Sequence, residues 1–252
     1  MSFTIATWNV LATAYIRPAF YPRTSPEFLN ASWRVPALVS YARTLEADII
    51  CLQEVERAVI AALQEGLPGF EGTYAAKGLK RPDGCATFFR ADRVTLMNIR
   101  RVEYDDRSGH IAQYMLFETE GHRLAVVNTH LKWDPPETPR EKQWGYGQIR
   151  QALSLMTEPS DGQILCGDLN VTPEADVVQV LLESGFDYAH RNMPNMATCN
   201  SNRHAKLIDY LFSRGSLALE PVIPAAIDDE TPLPSSAQPS DHVPLLARVE
   251  WK

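Results

Sequence analysis

Cysteine, long apolar runs and positive charge are all scarce in this 252-residue chain. Its four cysteines form no C-x-x-C pair, so we expect no disulfides and no zinc site of that kind. This favours a reducing compartment, for which we expect the cytoplasm. No run of about 18 apolar residues is present, so no transmembrane helix and no membrane association are predicted. Residues 1–5 also lack the basic and apolar regions of a signal peptide.

The balance of charge restricts how the chain can bind nucleic acid. Lysine and arginine number 24 against 31 aspartates and glutamates, and the net charge is −7. This balance argues against a protein that holds long nucleic acid only by neutralising its backbone. A small polyanionic substrate held through metal ions is compatible with it. The content of 45% hydrophobic residues is ordinary for a globular protein, and we expect a single domain over residues 1–252.

The stretch 163–170, QILCGDLN, is an apolar run that ends in polar residues. It predicts a buried strand that delivers Asp168 and Asn170 at its C-terminal end, because residues two apart in an extended chain share one face. A carboxylate beside a carboxamide suits Mg²⁺ or Mn²⁺. Taken alone, Gly, Asp and Asn are equally ordinary turn residues.

Around this stretch, hydrophobic periodicity predicts a mixture of short strands and helices. Further strands are predicted over 3–9, 48–53, 85–90, 94–102, 111–118, 123–130, 207–212, 217–223 and 243–251. Helices are predicted over 33–45, 59–66, 140–156 and 174–184. Without strict β–α alternation, this order favours an α/β domain with large antiparallel sheets.

Polar residues border several other apolar strands, which is how an α/β sheet presents an active site. They are Asn9, Glu54, His130, Asp209, Asp241 and His242. Asn9 has an ordinary alternative as a turn residue, Glu54 as a helix cap, and His130 as a core histidine. Asp209 is different, because a carboxylate inside an apolar strand needs a partner. The repetition of this pattern at six strands, the stretch 163–170 among them, favours a functional site.

Six motifs occur in the order found in the endonuclease/exonuclease/phosphatase superfamily, which the chain resembles. They are Trp8-Asn9, Leu52-Gln53-Glu54, Asn128-Thr129-His130-Leu131, Gly167-Asp168-Leu169-Asn170, Ile208-Asp209-Tyr210 and Ser240-Asp241-His242. Residues 47–55, 83–90, 133–135 and 238–242 look like the branch of poly(A) deadenylases, nocturnin, angel proteins and 2′-phosphodiesterase. Val171 departs from the serine usual in deadenylases, and residues 136–147 are unlike theirs, so the substrate stays open.

The resemblance implies an α/β fold, a DNase-like four-layer α/β/β/α sandwich with two mainly antiparallel sheets face to face. It implies Mg²⁺ as the cofactor, replaceable by Mn²⁺, with Glu54 as principal ligand beside Asn9 and Asp241. Asp168 and Asn170 would orient the attacking water and bind a second metal or the phosphate. His242, held by Asp209, would contact the phosphoryl oxygen, and His130 would hydrogen-bond the phosphate.

Basic and aromatic residues flank these motifs and are candidates for substrate binding. Lys77, Lys80 and Arg81 could contact further phosphates, and Trp133 could stack on a base, although solvated surface charge is the ordinary interpretation of any lysine. We expect a Mg²⁺-dependent phosphodiesterase, a 3′ exoribonuclease on short single-stranded RNA. The alternatives are a phosphatase or cyclic-phosphate phosphatase acting on RNA ends or nucleotides, and a non-catalytic scaffold. The expected partner is single-stranded nucleic acid or a nucleotide, RNA favoured, with no obligate protein partner evident.

Overall fold

Two six-stranded sheets dominate the computed structural model, which describes residues 2–252. In spatial order, the first sheet contains β13 (Leu217–Val222), β14 (Leu245–Trp251), β1 (Ser2–Asn9), β2 (Ile49–Glu56), β4 (Asp83–Arg90) and β3 (Phe70–Ala76). Strands β1 and β2 are parallel, and the other neighbours are antiparallel. Residues 49–52 of β2 are buried without interruption, as expected for a strand covered on both faces.

The second sheet repeats this arrangement. In spatial order it contains β5 (Thr95–Glu103), β6 (Ile111–Thr119), β7 (His122–His130), β8 (Gly162–Asp168), β12 (Asp209–Gly215) and β9 (Asp187–Tyr188). Its parallel pair is β7 and β8, and all other pairs are antiparallel. A separate two-stranded sheet pairs β10 (Cys199–Ser201) with β11 (His204–Lys206).

Four helices cover the outer faces of the two sheets. They are α1 (Ala31–Thr44), α2 (Arg57–Gly66), α3 (Trp144–Ser154) and α4 (Asp176–Glu183). One apolar cluster lies between the sheets, a second joins the first sheet to α1 and α2, and a third joins the second sheet to α3 and α4. The α/β/β/α sandwich with two mainly antiparallel sheets is therefore confirmed. Among residues 2–252, no helix combines the length and apolar character needed to cross a membrane.

A buried polar network connects the two sheets below one rim of the sandwich. Gln53 Nε2 donates to Asn128 Oδ1 at 2.8 Å, and Asn128 Nδ2 donates to the carbonyl oxygen of Ala86 at 3.0 Å. Thr87 Oγ1 donates to Gln113 Oε1 at 2.7 Å. Because buried polar groups must keep their hydrogen-bond partners, this network fixes the ends of β2 and β7 relative to one another.

Several element boundaries differ from the sequence prediction, and strands β3, β9, β10 and β11 were not predicted. Helix α3 begins at Trp144 and not at 140, because the Asp134 carboxylate accepts from the backbone N–H groups of Trp144 (3.1 Å) and Gly145 (2.9 Å). The last strand begins at Leu245 and not at 243, because Pro244 has no N–H to donate to a ladder. Strand β3 was not predicted, since it lies at a sheet edge, is largely exposed and contains Gly72.

Candidate active site

The C-terminal ends of the two parallel strand pairs meet at the same rim of the sandwich. In the strand register, Asn9 lies opposite Gln53, while Asp168 lies opposite both His130 and Asp209. Side chains from separate strands therefore converge at the rim, which we call the polar rim. Its members are Asn9, Glu54, Lys77, His130, Asp168, Asn170, Asp209, Asp241 and His242, and all lie in or beside strand ends.

Glu54 reaches the polar rim because β2 contains a bulge. The β2–β4 register shifts between Leu52 and Val55, and Glu54 has a left-handed φ of 58°. A bulge of this kind re-aims a side chain. The Glu54 carboxylate accepts from the Ala12 N–H at 2.8 Å and from Asn9 Nδ2 at 3.2 Å. It does not cap α2, which begins three residues later at Arg57.

Asp168 and Asn170 are brought together by a turn. Strand β8 ends at Asp168, and Asn170 has a φ of 54°, so the strand alternation expected from the sequence does not relate the two side chains. The Asn170 N–H donates to Asp168 Oδ1 at 2.9 Å, while Asp168 Oδ2 accepts from Asn9 Nδ2 at 2.9 Å. Glycine is required at position 167, because a Cβ there would collide with the Thr129 carbonyl oxygen. Burial, and then the nearby Asp209 carboxylate, raises the pKa of Asp168 to about 7.

His242 lies between three carboxylates. Its Nδ1 is 2.8 Å from Asp209 Oδ2, and its Nε2 is 3.8 Å from Asp168 Oδ2 and 3.9 Å from Asp241 Oδ1. Burial alone would lower the pKa of His242, but the surrounding negative groups, Asp209 first and Cys199 and Asp241 with it, raise the pKa well above its ordinary value. Asp209 thus has the buried partner that its place in an apolar strand required, and His242 is ionised with Nε2–H directed into the polar rim.

Asp241 presents one free carboxylate oxygen to the polar rim. Tyr21 donates its hydroxyl to Asp241 Oδ2 at 2.9 Å. Within residues 2–252, Asp241 Oδ1 is buried and has no hydrogen-bond partner. The Asp241 charge also contributes to a raised pKa of Glu54, for which burial is the larger cause and which the Lys77 ammonium opposes. A buried carboxylate whose pKa is raised by a neighbouring carboxylate suits a divalent cation, and oxygen donors are the set that hard cations prefer.

His130 lies between two hydrogen-bond donors and close to the carboxylates of Glu54 and Asp168. Lys77 Nζ lies 3.2 Å from Nδ1, and Asn170 Nδ2 lies 3.0 Å from Nε2. Burial, and then the charge of Lys77, lowers the pKa of His130 well below its ordinary value, so the ring is neutral. A neutral imidazole accepts at only one nitrogen. One of the two donors therefore remains able to bind an anionic oxygen.

The predicted substrate-binding residues occupy different environments. Lys77 is buried, and its Nζ forms an ion pair with Asp83 Oδ2 at 2.7 Å. Arg81 is half-buried, with Nε donating to the Ser108 carbonyl oxygen at 3.1 Å. Lys80 is exposed and does not join the polar rim. Trp133 lies in the loop after β7, three residues beyond His130, and is 52% exposed.

Several residues that hold the site were not identified from the sequence as site residues. Tyr15 donates to Asp83 Oδ1 at 2.6 Å and so supports the Lys77 ion pair. Arg34, fully buried in α1, donates to the Leu11 carbonyl oxygen at 2.6 Å and to the Pro239 carbonyl oxygen at 2.9 Å. It thereby joins the loop after β1 to the segment that carries Asp241. Its only sequence signal is an arginine within the apolar pattern of a helix.

Comparison with known proteins finds a family model and several relatives that match this chain. The family model described as "Endonuclease/Exonuclease/phosphatase family" matches residues 6–242. Carbon catabolite repressor protein 4 homolog 4 of Arabidopsis thaliana is 24% identical, covering 98% of this chain and 77% of the relative. The CCR4-Not complex 3′-5′-exoribonuclease subunit Ccr4 of Candida albicans is 26% identical, and Homo sapiens 2′,5′-phosphodiesterase 12 is 25% identical. These matches cover 100% and 98% of this chain but only 41% and 51% of the two relatives.

Solved structures show the same fold. ANGEL2, a 2′,3′-cyclic phosphatase crystallised with adenosine-2′,3′-vanadate, has a TM-score of 0.84 at 19% identity, covering 99% of this chain and 95% of that one. The human Nocturnin catalytic domain with bound sulfate has a TM-score of 0.76 at 22% identity, covering 100% and 94%. At these identities the likeness extends to the fold alone.

Proposed function

The chain belongs to the endonuclease/exonuclease/phosphatase family of hydrolytic enzymes, and on this premise we propose that it is a Mg²⁺-dependent phosphodiesterase, with Mn²⁺ able to replace Mg²⁺. We propose a 3′ exoribonuclease activity on short single-stranded RNA. The observation that carries the proposal is that carboxylates suited to a cation and donors suited to a phosphate meet in one place. His130 lies 3.9 Å from Glu54 Oε1 and 3.6 Å from Asp168 Oδ2, and His242 Nε2 lies 3.8 Å from Asp168 Oδ2.

The proposed cation ligands are Glu54, Asn9 and Asp241, with Asp168 and Asn170 available to a second ion. The unpartnered Asp241 Oδ1 fits this assignment, because a buried carboxylate oxygen without a donor is costly unless a cation is bound. When bound, the cation supplies charge neutralisation to the non-bridging phosphate oxygens. The oxygen-rich donor set also favours Mg²⁺ over softer ions.

The remaining rim residues act on the phosphate and the attacking water. His242 donates from Nε2 to a phosphoryl oxygen, while Asp209 holds Nδ1 and keeps the ring oriented. Asp168 accepts hydrogen bonds from the attacking water, and Asn170 helps to orient it. When Asn170 Nδ2 donates to His130, Lys77 does not donate to this ring and keeps one hydrogen free for a phosphate oxygen. Removing one such donor from a hydrolytic site typically costs about 100- to 1,000-fold in turnover.

Single-stranded RNA is supported by the surroundings of the polar rim. Trp133 is 52% exposed in the loop that leaves His130, and an aromatic surface there can stack on an unpaired base. The half-buried Arg81 and the exposed Lys80 supply positive charge outside the rim, Lys77 being buried in its ion pair with Asp83. The net charge of −7 disfavours extended duplex binding. The names of the relatives, an exoribonuclease subunit and a 2′,5′-phosphodiesterase, support the same substrate class.

A second candidate is phosphatase or cyclic-phosphate phosphatase activity on RNA ends or nucleotides. The number of donors beside the cation ligands favours it, because a terminal phosphate offers more charged oxygens than an internal linkage. Lys77 Nζ and Asn170 Nδ2 both lie beside the His130 ring, and His242 Nε2 lies 3.8 Å from Asp168 Oδ2. A non-catalytic scaffold is disfavoured, because every position of the six motifs is occupied by a residue able to serve.

We also propose that residues 1–252 act as one catalytic domain, because the two sheets contribute different parts of the polar rim. Asn9 and Glu54 belong to the first sheet, and Asp168 and Asp209 to the second. Fragments 1–120 and 121–252 should therefore be inactive when purified apart. Activity of either fragment alone would contradict the assignment.

A substrate panel tests the proposed function. Purified protein with Mg²⁺ or Mn²⁺ is incubated with labelled oligo(A), mixed-sequence RNA, 2′,5′-linked oligomers, RNA with cyclic-phosphate or phosphate ends, and duplex DNA. Stepwise shortening of single-stranded RNA from its 3′ end, abolished by chelator, is the expected result. Release of phosphate, or opening of the cyclic ester, without shortening would select the second candidate. Equal or faster cleavage of duplex DNA would refute the RNA proposal.

A further inference from the structure

Cys199 lies against the polar rim but has no place in the proposed phosphodiester chemistry. Strand β10 approaches the segment 241–243, because Cys199 forms a β-bridge with His242 and the Asn200 N–H donates to the Asp241 carbonyl oxygen at 2.9 Å. The Cys199 thiol is buried. A thiol at this position brings a soft donor to a site whose other ligands are oxygen and nitrogen.

Cys199 Sγ is one of three potential metal donors that lie close together. It, a carboxylate oxygen of Asp241 and a ring nitrogen of His242 are all within 4.8 Å of one another, and each residue is buried. The separation of His242 Nε2 from Asp241 Oδ1 is 3.9 Å. Asp241 Oδ1 has no hydrogen-bond partner among residues 2–252, so an unpartnered buried oxygen accompanies the thiol.

The groups behind these donors are arranged as in metal sites. Asp209 Oδ2 accepts from His242 Nδ1 at 2.8 Å, which leaves Nε2 as the nitrogen available to an ion. The Tyr21 hydroxyl donates to Asp241 Oδ2 at 2.9 Å, which leaves Asp241 Oδ1 available to an ion. A carboxylate behind a histidine fixes the ring and raises its basicity toward a metal. Both the histidine and the aspartate therefore present one defined donor atom.

We propose that Cys199, Asp241 and His242 bind Zn²⁺ as a site with a soft thiolate ligand, distinct in its donor set from the oxygen site proposed for Mg²⁺. Three protein ligands and one open position are a usual zinc arrangement. On binding, the Cys199 thiol and the His242 ring each release a proton, and Zn²⁺ takes the vacated lone pairs. Mg²⁺ does not use a thiolate, so only soft or borderline ions gain from Cys199.

Occupation of this site inhibits the enzyme, a consequence that rests on the proposed function. With Zn²⁺ bound, His242 Nε2 would have no hydrogen to donate to the phosphoryl oxygen, and Asp241 Oδ1 would no longer be available to Mg²⁺. The binding itself does not depend on any catalytic activity. Binding and inhibition therefore have separate measurements, and a failure of the proposed function leaves the first of them intact.

Binding is tested with Co²⁺, a coloured substitute for Zn²⁺, added to the full chain in a non-thiol reductant. A near-ultraviolet thiolate-to-cobalt absorption band that Zn²⁺ displaces is expected for the unaltered protein. Cys199→Ser should lose the band, and Cys85→Ser, which removes a different buried thiol, should keep it. Absence of the band from the unaltered protein, or its retention in Cys199→Ser, would overturn the proposal.

Inhibition is tested by adding Zn²⁺ during Mg²⁺-supported hydrolysis. Cys199→Ser should keep its Mg²⁺-supported activity and need at least roughly 10- to 100-fold more Zn²⁺ for half-inhibition, because even loss of a hydrogen-bonding partner of a ligand has effects of that size. Cys85→Ser should behave like the unaltered protein. Equal Zn²⁺ sensitivity of the unaltered protein and Cys199→Ser would overturn the inhibitory role.

Discussion

Asp209→Asn most directly tests how His242 works. Asp209 Oδ2 accepts from His242 Nδ1 at 2.8 Å, and both side chains are buried. Asparagine keeps the shape and its oxygen can still accept this bond, but the negative charge is lost. A hydrogen bond to a charged group contributes about 1.5–3 kcal/mol. If that contribution is needed to hold the ring in the transition state, turnover falls by roughly 10- to 150-fold.

The assay is the initial rate on the best substrate of the panel across a Mg²⁺ series. Because Asp209 is proposed to contact the ring and not the cation, the Mg²⁺ concentration for half-maximal rate should stay unchanged while turnover falls. Asp92→Asn is a matched control, since it makes the same chemical change at an exposed carboxylate paired with Arg90. Thermal unfolding of each variant establishes that the comparison is made between folded proteins.

Two results would refute this reasoning. Turnover of Asp209→Asn equal to that of the unaltered protein would show that the charge behind His242 does not matter. A large rise in the Mg²⁺ requirement, with normal turnover once Mg²⁺ saturates, would instead make Asp209 a metal ligand.

Three further substitutions test the metal ligands, the stacking of a nucleic-acid base, and stability at acid pH. Glu54→Gln should lower turnover at least about 100-fold at any Mg²⁺ concentration, and full turnover in excess chelator would contradict the metal assignment. Trp133→Ala should weaken RNA substrates by about 1–3 kcal/mol in KM measurements while sparing a small synthetic phosphodiester, and equal losses on both would refute stacking. Burial, then Lys77 and Arg81, lowers the pKa of His110 to about 3, so below pH 6.5 the unfolded chain takes up a proton that the folded chain does not. The free energy of unfolding therefore falls as the pH drops from 6.5 toward 3. Between pH 7 and pH 5, urea unfolding should show that this free energy falls by about 2 kcal/mol less in His110→Asn than in the unaltered protein.

Central strands were predictable because a strand that is buried on both faces consists of consecutive apolar residues. Residues 49–52 and 124–127 are continuous buried runs, and their polar ends identify the rim. Edge strand β3 lacks that signal, since it is largely exposed. The start of α3 depends on Asp134, ten residues earlier in the chain, and local periodicity does not record such a cap.

The structure brings the candidate residues together by a geometry that the sequence did not predict. Glu54 reaches the rim through a bulge with a φ of 58°, and Asn170 through a turn with a φ of 54°. Both conformations are uncommon for residues other than glycine and persist only because surrounding contacts determine them. The roles of Arg34 and Tyr21 depend on partners more than 200 residues away in the chain. Contacts of that range have no local sequence signature.

The polar network between the sheets determines how sharply the two halves of the site are aligned. Apolar side chains packed face to face resist separation, but they resist sliding only weakly because the hydrophobic effect has no direction. The hydrogen bonds from Gln53 to Asn128 and from Thr87 to Gln113 are directional, and a small shear of one layer over the other would break them. Glu54 and Asp168 lie on opposite layers, and a displacement of about 1 Å between catalytic groups can cost about 100-fold in rate. A substitution such as Gln113→Leu, which lies below the rim and touches none of its members, is thus expected to lower turnover by letting the layers shift.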